Sequence, residues 1–181
     1  ENVAGIVYHV SRGTVQYNQN TGKISGTGRM PIVGTIQNNM YGGYDYYDRT
    51  DWTGSYDWGE ARTREKLLGG FVDSAPKADT WTVKKSFYPY LTEGGDRAKA
   101  QAAAAWVTEK EGIAYLNLST DGTDAWKLNE TGLTAGSNCT LTEGAVLTYS
   151  CGDYEKNISW EGGTKSVIVM FGFPDRSEEH T

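Results

Sequence analysis

Beyond Gly112 the sequence is a succession of short apolar segments separated by polar turns. Each segment has the length of a strand, and Asp121-Gly122 is a typical tight turn between the first two. Strands at this spacing predict an antiparallel sandwich or barrel, because each one buries a single face against its neighbours. The predicted strands are residues 113–118, 125–128, 145–149, 158–160 and 166–171.

A further apolar segment, residues 3–10, lies near the start of the chain. In a strand, alternate residues face opposite sides, and both sides of this one are largely apolar. Such a strand either completes the sheet of its own domain or is inserted into the sheet of a neighbouring subunit. Residues 1–12 are therefore a candidate exchanged strand, with a predicted subunit contact at Val3, Ile6, Val7, Tyr8 and Val10.

Two short helices are predicted between the strands. The first follows Asp57, which is placed to cap a helix, with Glu60 as its partner in a capping box. The second spans residues 97–109 after Asp96, because alanine, the strongest helix former, is abundant there. No repeat or linker divides the chain, so we predict a mainly β, antiparallel sandwich-like single domain, residues 1–181, with two short helices.

Charge and hydropathy exclude several classes of function. The formal net charge is −6 and the pI is about 4.9, whereas nucleic-acid binding needs clustered Lys and Arg. No apolar run approaches the roughly 20 residues that span a bilayer. Aromatic residues make up 12% of the chain, which is atypical of disordered proteins. We expect a folded chain with no nucleic-acid partner and no membrane span.

The two cysteines, Cys139 and Cys151, are flanked by small polar residues rather than by metal ligands. The two histidines, His9 and His180, lie at opposite ends of the chain, which disfavours a Cys/His metal site. We predict a structural disulfide, which would stabilise the fold by about 3 kcal/mol if unstrained. The alternative is two free buried thiols.

Four Asn-x-Ser/Thr sequons lie in the second half of the chain, beyond Gly112, among nine Asn in the whole chain. They predict glycosylation on an exposed face, the alternative being coincidence in a Thr-rich sequence. Together with the predicted disulfide and a chain that starts at Glu1, they favour a mature secreted or extracellular surface protein whose leader has been removed. The predicted acceptors are Asn117, Asn129, Asn138 and Asn157.

Residues 41–58 form a segment rich in aromatic and acidic side chains. One interpretation is a glycan-binding patch, since sugar rings stack on Trp and Tyr while Asp accepts hydrogen bonds from hydroxyls. The alternatives are a buried core and a contact with a neighbouring subunit. No EF-hand pattern is present, so we predict no metal. The candidate glycan or interface residues are Tyr44, Asp45, Tyr46, Tyr47, Asp48, Asp51, Trp52, Tyr56 and Trp58.

Catalytic motifs are not evident. The histidines are poorly placed for a Ser/His/Asp triad, and no Gly-rich phosphate loop is followed by Lys-Ser/Thr. A glycosidase needs only two carboxylates, and 23 acidic residues leave such a pair unassigned. We therefore expect no enzymatic activity and no cofactor.

These features favour a structural role outside the cell. The composition, acidic and rich in Thr and Gly with an apolar N-terminal segment, resembles that of secreted pilins and adhesins. The leading hypothesis is a structural subunit of an extracellular filament or surface assembly, polymerising with copies of itself by strand exchange. The alternative is a secreted carbohydrate-binding domain with host or environmental glycans as partners, and the third is a secreted hydrolase.

Overall fold

The computed structural model describes residues 3–37, 41–50, 52, 54, 56, 58–68 and 79–172. The predicted mainly β fold class is confirmed. The chain divides into two compact units, residues 1–83 and 84–181, which are described in turn. Asp51 and Asp57 lie outside the described residues.

The N-terminal unit consists of very short strands and one short helix. They are β1 (Val3–Ala4), β2 (Val7–Val10), β3 (Thr14–Gln16), β4 (Gln19–Asn20), β5 (Arg29–Met30), β6 (Val33–Ile36), β7 (Tyr41–Gly43), β8 (Tyr46–Asp48), β9 (Glu60–Arg62), α1 (Arg64–Leu68) and β10 (Trp81–Thr82).

The first eight strands of this unit form two stacked coils of a β-solenoid. β1 to β4 pair in order with β5 to β8, and every one of these pairs is parallel. The partner lies 26 residues further along in the first two pairs, as Val3 lies opposite Arg29, and 27 in the others, as Asn20 lies opposite Tyr47. A nearly constant offset with parallel pairing means that the chain winds and stacks on itself. We call residues 3–20 coil 1 and residues 29–48 coil 2.

A shortened third turn follows coil 2. β9 pairs in parallel with β8 after only 14 residues, as Tyr46 lies opposite Glu60. We call residues 49–62 the short coil. Since β8 has β4 on one edge and β9 on the other, the short coil lies on the side of coil 2 that faces away from coil 1.

Residues 3–10 do not form one continuous strand. β1 and β2 are separated at Gly5 and Ile6, and both pair with strands of the same chain, β5 and β6. Gly5 is required here, because a Cβ atom would collide with the Pro31 carbonyl and the Asn20 amide. The solenoid therefore bends at this point and begins a new side.

The C-terminal unit is richer in long strands. Its elements are β11 (Tyr90–Leu91), a 3-10 helix (Thr92–Gly94), α2 (Gly95–Ala102), β12 (Ala105–Lys110), β13 (Ile113–Leu118), β14 (Ala125–Leu128), β15 (Thr131–Gly132), β16 (Asn138–Leu141), β17 (Val146–Cys151), β18 (Tyr154–Ser159) and β19 (Lys165–Phe171).

Two four-stranded sheets make up most of this unit, in the orders β12-β13-β19-β16 and β15-β14-β17-β18. All their pairs are antiparallel except β13 with β19. β17 buries alternate residues, Leu147, Tyr149 and Cys151, and β19 buries Val167 and Val169. This alternation of buried and exposed residues is what the sequence predicted for these segments.

Both helices are shorter than the sequence predicted. α1 begins only at Arg64, since Glu60 belongs to the strand that pairs with β8. α2 ends at Ala102, and Lys156 donates hydrogen bonds to the carbonyl oxygens of Gln101 (2.6 Å) and Ala103 (2.7 Å) there. Residues 105–110 pair with β13 at all six positions, so sheet pairing overrides the helix propensity of the alanines.

Candidate functional site at the open edge of coil 1

The two ends of the solenoid differ. Within the residues that the structure describes, no strand pairs with the outer edge of β1, β2, β3 or β4. A strand edge presents backbone N–H and C=O groups that are ready to pair with another strand. We call the outer edge of these four strands the open edge.

Apolar side chains at the open edge are only partly covered. Val7, Val10 and Val15 pack against the solenoid core but stay partly exposed. Val33, which lies opposite Val7 one coil further along, is only 5% exposed. Coil 1 residues line an open depression of 570 Å³, and these three valines contribute to it. Another layer on coil 1 would cover Val7 as coil 1 covers Val33.

The same corner recurs in both coils. Tyr17 and Tyr44 have φ values of 59° and 58°, a left-handed conformation that is unusual for tyrosine. Their rings stack with centroids 5.2 Å apart and planes 7° from parallel. Of the two residues, Tyr44 is 59% exposed. Equivalent positions in successive coils therefore share both backbone conformation and side-chain packing.

Asp45 links three layers of the solenoid. Its Oδ1 accepts hydrogen bonds from the backbone N–H (3.0 Å) and the Nδ2 (2.9 Å) of Asn18 in coil 1. Its Oδ2 accepts one from Nε1 of Trp58 in the short coil, at 2.8 Å. Asp45 is 3% exposed, so this carboxylate serves the fold and offers little to a ligand.

The far end of the solenoid is closed by the short coil. Trp52 is 1% exposed and belongs to the core cluster with Tyr47. The Tyr56 ring meets both of these rings edge-on, each at 5.7 Å between centroids. The Arg29 guanidinium lies over Trp52, 5.4 Å from its ring centroid. Large aromatic side chains thus cover the solenoid core at the far end, whereas the core at the open edge is covered only in part.

Most of the candidate glycan residues form part of this core. Tyr46 and Tyr47 are buried, and Asp48 is fully buried with one oxygen 3.4 Å from Nε of Arg64. Among the described candidates, Tyr44 is the most exposed, and Tyr56 and Trp58 are half-buried. A small recess of 210 Å³ beside Tyr44 is lined in part by Asp45 and Trp58. The continuous sugar platform expected from the sequence is therefore reduced to one exposed ring and this recess.

The predicted disulfide between Cys139 and Cys151 is not present in the structure, where both are free thiols. Cys139 lies in β16 opposite Val167, and Cys151 ends β17 opposite Tyr154, so the two residues belong to different sheets. Burial raises the pKa of the Cys139 thiol. Short spacing in the sequence did not bring the two sulfurs together, because β16 and β17 enter separate sheets.

The four sequons fall in different environments. Asn117 is fully buried, and its Nδ2 donates hydrogen bonds to the Trp106 carbonyl (3.2 Å) and to Oγ1 of Thr108 (2.9 Å). A glycan on this nitrogen is incompatible with the fold, so the prediction for Asn117 is wrong. The remaining acceptors are exposed and stay predictions: Asn129, Asn138 and Asn157.

Sequence reasoning missed a cluster of charges beside α2. Nζ of Lys99 lies 2.6 Å from Oδ2 of Asp121, and Nζ of Lys84 lies 3.4 Å from the same oxygen. Burial alone would raise the pKa of Asp121, but hydrogen bonds from Lys99 and Thr123 outweigh it and hold the pKa well below the usual range. The carboxylate of Asp121 pairs with both lysines, and its bond with Lys99 ties α2 to the turn after β13. No sequence signal joins residues this far apart.

A neighbouring pair, Tyr149 and Asp124, shares a hydrogen bond of 2.8 Å from the phenol to Oδ2. Burial, followed by this bond, raises the pKa of Tyr149 far above its usual value.

In the described parts of the chain, no group of three or more His, Cys, Asp or Glu side chains is placed to hold a metal ion. None of the described helices is long and apolar enough to cross a membrane.

Comparison with protein-family models gives no match to this chain. Searches of curated proteins and of solved structures give no match either. What the chain does must therefore be inferred from its own geometry, and the most distinctive feature is the open edge.

Proposed function

We propose that this protein is a structural, non-enzymatic subunit of an extracellular surface assembly, joined to its neighbour through the open edge. The observation that carries the proposal is a solenoid whose core is covered by aromatic side chains at one end, while at the other the four strand edges have no partner among the described residues. Free backbone groups and partly exposed valines are the surface that pairing with another β edge covers.

Pairing along the open edge is a simpler route to assembly than exchange of residues 3–10. Exchange would break the pairs that β1 and β2 make with β5 and β6. Edge pairing keeps those pairs and uses the opposite side of the same strands. The residues predicted for the subunit contact, Val7 and Val10 among them, then take part without leaving their own solenoid.

A filament of identical copies would need an open edge at both ends of the solenoid. On the far side of coil 2, β9 takes the outer edge of β8, and the aromatic side chains of the short coil cover the core. This arrangement favours a protein that ends or anchors an assembly over one that repeats along a filament. The extracellular setting is part of the proposal, supported by the three exposed sequons.

The test compares two lysine substitutions in the full chain. Val15→Lys places a charge in the depression at the open edge, where it stays hydrated until another layer covers it. Ile36→Lys is the matched control, because Ile36 is 41% exposed in coil 2. Sedimentation and electron microscopy of the surface fraction should show loss of the Val15→Lys protein from the assembly and retention of the control. A wild-type protein found only as a 19.9 kDa particle would contradict the proposal.

Glycan binding is the second candidate, and the exposed Tyr44 ring is the observation that favours it. Tyr44 stacks on Tyr17, so its orientation is set before any sugar arrives. Tyr44→Ala should then abolish retention on a glycan array while leaving the unfolding midpoint nearly unchanged. Equal retention by the variant and the wild type would remove this site from consideration.

A further inference from the structure

We propose that the open edge accepts a complete β-coil that runs parallel to coil 1 and repeats its spacing. The occupant is thus a β-solenoid coil, rather than a single strand or a second copy of this chain. This extends the proposed function, on which it rests, by naming the chemistry of the neighbour.

The shape of the open edge excludes a single extended strand. β1 to β4 contain between two and four residues each, and they belong to separate sheets around the solenoid. One straight strand reaches only one of these sides and gains two to four residues of pairing. A chain that turns the same corners pairs with all four sides at once and covers the depression between them.

Coil 2 shows what such a partner looks like. It meets the other edge of coil 1 with partners 26 or 27 residues apart, and Val33 lies against Val7. At the shared corner, the left-handed Tyr44 stacks on the left-handed Tyr17. A partner coil of the same kind carries β-branched residues above Val7 and Val10, as Val33 and Ile36 do in coil 2, and a planar ring above Tyr17.

A second copy of this chain fits less well. At its far end β9 already pairs with β8 and the aromatic side chains of the short coil cover the core, so a complete coil cannot pair with all four sides there. Two copies joined edge to edge about a two-fold axis run antiparallel. A parallel coil instead continues the parallel pairing that coil 1 already makes with coil 2 on all four sides.

The test adds a coil to the full chain. A duplicate of residues 3–28 is fused directly before Val3, which places each copied residue 26 positions before its original. Hydrogen exchange of the β1–β4 amides should slow by at least about tenfold relative to the wild type, because these amides become interior. In the control fusion the copied Val7, Val10 and Val15 are Asp, and the amides should exchange as in the wild type.

Two results would overturn the inference. One is unchanged exchange in β1–β4 when the copied coil is itself protected, which shows a coil that forms but does not dock. The other is a wild-type dimer whose β1–β4 amides are already protected, which assigns the edge to a second copy. The proposed function fails separately: a fused coil that protects β1–β4 supports the parallel coil even if Val15→Lys stays in the surface assembly.

Discussion

Replacing Asp121 by Asn isolates the charge pairing beside α2. The substitution preserves the size of the side chain but removes the charge that faces Lys99 at 2.6 Å. The Lys99 side chain is only 7% exposed, so its ammonium group has little water to replace the lost carboxylate. Burial alone would lower the pKa of Lys99, and the hydrogen bonds with Asp121 and Cys151 are what raise it above the usual value.

Removing one partner of a buried ion pair typically costs 3–5 kcal/mol, because a charge is left buried and unpaired. We expect about 3 kcal/mol, the lower end of that range, because the Asp121 side chain is 17% exposed and Asn still accepts from Thr123. For a chain of this size that free energy lowers the unfolding midpoint by about 6–12 °C.

The assay is urea unfolding from pH 7 down to pH 2, with Glu109→Gln as the control. Glu109 pairs with Lys165 at 2.8 Å, but the Glu109 side chain is 63% exposed. In the Glu109→Gln variant, water can therefore solvate the Lys165 ammonium group, and the loss of stability should be much smaller. The pKa of Asp121 is lower in the folded state than its ordinary 3.8, so its stabilisation is present above 3.8 and is lost as the pH falls further. The difference between wild type and Asp121→Asn should therefore be constant near neutral pH and shrink below pH 3.8. Equal effects of the two variants at pH 7, or a difference independent of pH, would refute the reasoning.

Two further predictions concern the strands. Gly42→Ala should destabilise the protein by roughly 2 kcal/mol in urea unfolding, because the new Cβ collides with the Trp58 ring, whereas Gly132→Ala meets no atom within 4 Å and should change little. Equal losses of stability in Gly42→Ala and Gly132→Ala would show that the Trp58 ring moves aside, and would contradict the prediction. With a thiol reagent at pH 8, the partly exposed Cys139 should react before the buried Cys151, and the unfolded protein should show two thiols. An unfolded protein with none would mean that a disulfide forms after all.

Local pattern was sufficient for much of the C-terminal unit. Residues 113–118 and 125–128 form strands with the predicted bounds, and the Asp121-Gly122 turn lies between them. Alternation of apolar residues is a local property, so it can be recognised without knowing the partner strand. The same patterns say nothing about coils 1 and 2, where the pairing partner lies 26 residues away, as with Val3 and Arg29. A corner of a solenoid and the turn of a hairpin use the same Gly, Asn and Asp residues.

The candidate site, too, was predicted from local pattern only in part. Residues 3–10 were predicted to be apolar β structure available to a neighbour, and their valines do line the open edge. That these residues bend at Gly5 and pair with β5 and β6 depends on contacts that the sequence does not display. Residues 105–110, the C-terminal part of the predicted helix, form a strand for a similar reason, since six pairs with β13 outweigh helix propensity.

By itself the sequence determined that the chain is mainly β, acidic and rich in turns, because strand length, charge and turn chemistry are properties of neighbouring residues. Tertiary structure alone decided which aromatic side chains became core and which charges became partners. Trp52 is buried because the short coil folds over coil 2, and Lys99 meets Asp121 because α2 packs beside a distant turn. Burial and charge pairing depend on segments that meet only after folding, so the open edge could be recognised only once the coils were stacked.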